Sequence, residues 1–103
     1  MPHWHLVCKL DEVQEGKPLG VNVADQCIAI FRIGERCYAT SDICTHEFAL
    51  LSEGWQEAEV IECPLHQARF RITDGKCLGP PAETDLKVFD VKVADGDVYV
   101  SLE

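Results

Sequence analysis

The sequence predicts an all-β fold of many short antiparallel strands with a loop-rich subdomain set into it. Short strand-like apolar runs recur between turn signals, several segments alternate apolar and polar residues, and no helical periodicity extends beyond a turn. Trp4 to Cys8, Val21 to Ala24, Cys27 to Ile33 and Cys37 to Thr40 form a first group of strands, with Gly34-Glu35 as a hairpin turn. Lys9 to Gln14 has room for one helical turn before Gly16, too short to be stable alone. Between Ser41 and Thr84 the strand pattern gives way to loops rich in Cys, His, Gly and Pro. Within that stretch Ala68, Phe70 and Ile72 alternate with Gln67, Arg69 and Arg71, and Asp74-Gly75 supplies a turn. Phe89, Val91 and Val93 then alternate with Asp90 and Lys92, Asp95-Gly96 turns the chain, and Val98, Val100 and Leu102 complete a final hairpin.

The 103 residues make one domain, too short for a second unit carrying separate chemistry, and 47% hydrophobic residues spread along the chain argue for a folded protein. No apolar run approaches the length of a membrane span, and Met1-Pro2-His3-Trp4-His5 has neither the basic nor the apolar region of a signal peptide, so the cytoplasm is the expected compartment. Nine Lys and Arg against 18 Asp and Glu give a formal charge of -9, which repels phosphate backbones and anionic lipid. Nucleic acid and membrane are therefore not expected partners. The acidity serves either solubility or steering toward basic patches on partner proteins. Six cysteines in a reducing compartment point to metal or redox use before disulfides.

Cys44-Thr45-His46 and Cys63-Pro64-Leu65-His66 give C-x-H and C-x-x-H with sixteen residues between them. Either doublet arises readily by chance in a chain with six Cys and four His; both together, at this spacing and with flanking Pro and Gly, do not. Two loops would each present one thiolate and one imidazole to a two-iron cluster. With two thiolates the oxidised cluster and its ligands are formally neutral, whereas four thiolates leave a net negative charge. Adding an electron to the mixed-ligand cluster is thus easier and its potential higher. Two Cys and two His also satisfy tetrahedral zinc, although zinc fingers pair Cys with Cys and His with His, with the His pair on a helix.

With Leu51-Ser52-Glu53-Gly54 between the doublets, the Asp74-Gly75 turn and the segment Leu78-Gly79-Pro80-Pro81-Ala82, the chain resembles the Rieske family over essentially its whole length. More narrowly, it resembles the small ferredoxins of bacterial aromatic-ring-hydroxylating dioxygenase systems. The resemblance implies a single Rieske domain over residues 1–103, an antiparallel β-sandwich with a cluster-binding subdomain at about residues 42–82. It implies one 2Fe-2S cluster held by Cys44 and Cys63 on one iron and His46 and His66 on the other. Phe48, Gly79, Pro80 and Pro81 would cover the cluster and form a possible docking surface. The implied role is a soluble, monomeric one-electron carrier, not an enzyme, between a flavin-dependent NAD(P)H reductase and a terminal oxygenase. Two other roles stay open: a small Rieske subunit of a multisubunit reductase such as nitrite reductase, and a zinc-stabilised interaction module.

The high-potential respiratory branch adds a disulfide between the loops and hydroxyl donors to the cluster. Here Ala49 and Leu65 stand where the extra cysteines would be, and Ala68 and Phe70 replace the Ser and Tyr donors. Losing two hydrogen bonds of about 1.5–3 kcal/mol each lowers the potential by at most roughly 130–260 mV. A potential near the low end of the Rieske range is expected.

The remaining conspicuous residues have plainer readings. Cys8, Cys27, Cys37 and Cys77 fall in or beside apolar runs and read as small core hydrophobes. His3 and His5 read as surface residues, Leu50 as packing, and Arg69 and Arg71 as the solvent face of a strand. Phe48, Pro80 and Pro81 fit either an apolar collar around the ligands or simple packing. Glu47, Glu53, Glu57, Glu59 and Glu62 cluster near the loops, where exposed carboxylates contribute little individually but can steer association together.

Overall fold

In the computed structural model, residues 3–45, 49–65, 67–80 and 82–102 are described. Nine strands follow in order: β1 (Trp4–Lys9), β2 (Leu19–Val23), β3 (Gln26–Ile33), β4 (Arg36–Ser41), β5 (Trp55–Glu57), β6 (Val60–Glu62), β7 (Arg69–Arg71), β8 (Val88–Ala94) and β9 (Asp97–Ser101). Six form one antiparallel sheet in the order β1-β9-β8-β4-β3-β2, and β5-β6-β7 form a second. Single 3-10 turns occupy Leu10–Glu12 and Leu51–Glu53. The first is the turn expected after Lys9, closed by Lys9 N donating to Glu12 Oε1 at 2.8 Å.

The large sheet curls until its outer strands, β1 and β2, come into contact. It is joined in the middle by only two residue pairs, Ala39↔Phe89 and Thr40↔Val88. It therefore behaves as the expected sandwich, with β1-β9-β8 facing β4-β3-β2. Val13, Ile28, Ile30, Val98 and Val100 are fully buried between the halves, with Val23, Cys37, Ala39 and Phe89 around them. Each such aliphatic side chain contributes about 1.5–3 kcal/mol. Past Phe89, β8 parts from β4, so Val93 emerges to solvent although the alternation predicted it inside.

The Gly34-Glu35 and Asp95-Gly96 hairpins form where the sequence places them, with φ +63° at Gly34 and +53° and +79° at Asp95 and Gly96. The second strand differs from expectation. It spans Leu19–Val23, and Ala24 belongs to the turn: Val23 pairs with Gln26, so Ala24 and Asp25 fill a two-residue loop at φ +47° and +68°. Positive φ here matches the strand twist; Asp tolerates it, but Ala at the first position gives no such signal.

The small sheet is inserted between β4 and β8. β3 is the wall shared by both cores: Ile28 and Ile30 face the sandwich, while Ala29 and Phe31 face the small sheet. Ala68, Phe70 and Ile72 are buried against that second face, as the alternation predicts, together with Leu51, Ile61, Ala82 and Leu86. β5 and β6 fall in a stretch that reads as loop. Each is three residues long, too few to show a period, and each exists through its pairing, β5 to β6 and β6 to β7. Among the described residues, no helix is long and apolar enough to cross a membrane.

Candidate metal centre

Cys44 and Cys63 stand at equivalent places in two loops. The amide of Cys44 donates to the Ala49 carbonyl at 2.9 Å, and that of Cys63 to the Ala68 carbonyl at 2.7 Å. Each cysteine thus closes a loop onto the residue five positions on, and each C-x-H or C-x-x-H doublet lies inside its loop. Both thiols belong to the small-sheet core, Cys44 at 3% exposure and Cys63 at 0%. The Leu65 amide is directed at Cys63 Sγ at 3.4 Å, an arrangement that favours a thiolate. His46, Phe48, His66 and Pro81 lie outside the described residues, as does Glu47. Among the described residues no three His, Cys, Asp or Glu side chains gather as a metal site.

The loops are pinned by residues that the sequence reading passed over. Asp42, two positions before Cys44, is a carboxylate at 3% exposure. Its Oδ1 accepts from Ser52 N at 2.7 Å and its Oδ2 from Ser52 Oγ at 2.8 Å, while its carbonyl accepts from Leu51 N at 2.7 Å. Burial pushes the Asp42 carboxyl up, opposed by the Ser52 hydrogen bonds. The second stem depends on Gly54. A Cβ there would run into the Glu62 carbonyl, one residue before Cys63.

Beside the loops, residues 82–84 are fastened by two hydrogen bonds. The Cys77 thiol donates to the Ala82 carbonyl at 3.0 Å, and Thr45 Oγ1, inside the first loop, donates to the Thr84 carbonyl at 2.7 Å. Asp85 Oδ1 holds the Cys77 amide at 2.8 Å. Gly79 sits at φ +126° and is half-buried, whereas Pro80 is exposed. Cys77 is therefore more than core filling. Cys8 and Cys37 do pack in or against the sandwich core, and Cys27 is half-buried. No disulfide joins any of the six cysteines. Ala49 is buried and Leu65 is 41% exposed. A cavity of about 460 Å³ opens where β4 and β8 part and touches neither cysteine loop.

Two buried thiols at matching loop bases, one with an amide on its sulfur and each with a histidine two or three positions on, fit a mixed Cys/His iron–sulfur cluster. A family model for the Rieske 2Fe-2S domain matches residues 3–90. The chain belongs to the Rieske family. The ferredoxin CarAc of Metapseudomonas resinovorans is 42% identical over 97% of this chain and 94% of its own length. The ferredoxin component of the naphthalene 1,2-dioxygenase/salicylate 5-hydroxylase systems of a Ralstonia species is 39% identical over 98% and 97%. The ferredoxin in a solved complex of reduced oxygenase and oxidised ferredoxin of carbazole 1,9a-dioxygenase superposes with a TM-score of 0.91 at 42% identity, covering 97% of this chain and 94% of that one. Within the Rieske family the chain is thus a ferredoxin of the aromatic-ring dioxygenase type. It is a non-catalytic electron-transfer component with a Rieske-type 2Fe-2S cluster, which removes zinc as the resident metal.

Proposed function

We propose that Cys44, His46, Cys63 and His66 hold the cluster, and that the chain carries single electrons from a flavin-dependent NAD(P)H reductase to the terminal oxygenase of an aromatic-ring dioxygenase system. The observation that carries the assignment is the matched pair of loops, each closed from a buried cysteine amide to a carbonyl five residues on. Cys44 and Cys63 supply the thiolates from inside the core, and His46 and His66, further along the same loops, supply the imidazoles. The bound cluster takes up and releases one electron. The chain's part is to fix the donor atoms and exclude water: Asp42 and Gly54 set the two stems, and Thr45 and Cys77 fasten residues 82–84 beside them. The cluster-binding subdomain spans about residues 42–82, with Phe48, Gly79, Pro80 and Pro81 as its cover and docking rim.

The oxygenase as acceptor is supported by the related ferredoxin described in complex with its oxygenase. The reductase as donor follows from the ferredoxin's place as a carrier. A monomer in the cytoplasm suits a shuttle that must leave one partner to reach the next through small, transient contacts. The test is reconstitution: purified holoprotein should make oxidation of an aromatic substrate by a reductase and oxygenase pair depend on its presence. Cys44→Ala and Cys63→Ala should abolish both that coupling and bound iron and acid-labile sulfide. Full coupling by either cysteine variant would overturn the ligand assignment.

A further inference from the structure

Trp55 is a large aromatic at 60% exposure, placed directly beside a cysteine loop. In the small sheet it pairs with Glu62, the residue before Cys63, and Glu62 pairs in turn with Arg69, so the three side chains form a row across the outer face. Ile61 and Phe70, on the opposite face, are fully buried. With Glu57 and Val60, the row lines a depression of about 230 Å³. The Arg69–Glu62 ion pair on its floor is loose, at 3.8 Å.

Elsewhere the chain covers its aromatic rings with its own cations. Lys92 lies 4.9 Å from the Trp4 ring and 5.0 Å from the Tyr99 ring, and Lys87 lies 5.1 Å from the Phe89 ring. Among the described residues no cation covers Trp55, and Glu57 beside it has no ion-pair partner. An open indole flanked by a free carboxylate is the chemistry that receives an ammonium or guanidinium group. On a chain of net charge -9, the complementary surface is basic. Exposed tryptophan is also among the side chains that dominate binding at protein interfaces.

We propose that this face of the small sheet, centred on Trp55 and Glu57, is a docking surface that receives a lysine or arginine side chain from a basic patch of a redox-partner protein. The proposal rests on the carrier role above and adds a contact apart from the 79–82 rim. Its position, across one strand pair from the residue preceding Cys63, lets a single partner engage the face while reaching the cluster loops.

Horse-heart cytochrome c, a basic one-electron acceptor, serves as the probe, with reduction by the reduced holoprotein followed by stopped flow at low ionic strength. Trp55→Ala and Glu57→Lys should each slow the second-order rate at least fivefold, and Glu57→Lys should also flatten its salt dependence. Trp55→Phe should stay within twofold of wild type. The midpoint potential of both variants, and for the charge-neutral Trp55→Ala the rate of ferricyanide reduction, should be unchanged, showing that the cluster is intact. Asp11→Lys, the same charge change in the 3-10 turn after β1, should have less than half the effect of Glu57→Lys. Wild-type rates for Trp55→Ala, or equal losses for Asp11→Lys and Glu57→Lys, overturn the docking surface and leave the carrier role standing. A wild-type holoprotein that fails to reduce cytochrome c counts against both.

Discussion

Asp42 shows how one buried residue can brace the proposed metal site without being one of its ligands. Its side chain accepts two hydrogen bonds from Ser52, tying the strand end that leads into Cys44 to the turn that follows the loop. Asp42→Ala leaves both Ser52 donors without their partner, at a cost of about 2–3 kcal/mol. The variant is expected to have a lower urea midpoint and a lower iron content after purification. Nothing in the sequence singles it out, because its partner lies ten residues away and Asp is common in loops. The cysteine and histidine doublets were legible because metal chemistry restricts which side chains serve, whatever their surroundings. Cys8 shows the limit of that restriction, since its thiol is shaped only by its neighbours. Burial, reinforced by nearby Cys37 and Glu12, pushes it up to about 11. The fold favours the neutral thiol, so this contribution is intact below the ordinary value near 9 and is lost as pH rises toward 11. The urea midpoint of the wild type should therefore fall more steeply between pH 9 and 11 than that of Cys8→Ala. Parallel curves would contradict the raised Cys8 thiol.

At the scale of elements, the long strands followed their patterns except where β8 leaves β4 at Val93, while β5 and β6 had no pattern to follow. β3, β4, β8 and β9 carry enough residues for an apolar run or an alternation to declare itself. β5 and β6, of three residues each, are strands because β7 lends them a ladder, and no local signal marks them. Gly54 is what lets that ladder close on the second cysteine loop. Its φ of -88° is open to any residue, so the requirement is space and not conformation: an added methyl would displace the Glu62 carbonyl beside Cys63. Gly54→Ala should reduce the ratio of cluster to protein absorbance and lower the melting temperature. Gly16→Ala provides a contrast, since a Cβ there meets nothing within 4 Å and the cost is confined to its φ of +88°. Cluster content should survive that change. Wild-type cluster content in Gly54→Ala would show that the Glu62 carbonyl can shift without disturbing the loop.

For the molecule as a whole, the redox potential is set by what surrounds the cluster loops. Ala68 and Phe70, where the respiratory branch is expected to place hydroxyl donors, are both fully buried and carry no hydroxyl. With those donors absent, the midpoint should fall near the low end of the roughly -150 to +300 mV Rieske range. A redox titration giving a value well above zero would contradict this. The -9 charge acts at the same scale. A charge of that size attracts any basic surface without choosing an orientation, whereas the exposed Trp55, in the docking proposed above, would select one.

The sequence by itself determined the class of fold, the four candidate ligands and the absence of cysteines at positions 49 and 65, because each depends on residue type and local spacing. The tertiary structure decided that Cys44 and Cys63 share one core, that β3 divides two cores, that Asp42 and Gly54 brace the loops, and that Thr45 and Cys77 hold residues 82–84. It also turned Trp55 outward beside Glu62. Those features depend on contacts that form only when the chain closes its long loops, and local patterns do not record which partner each residue meets.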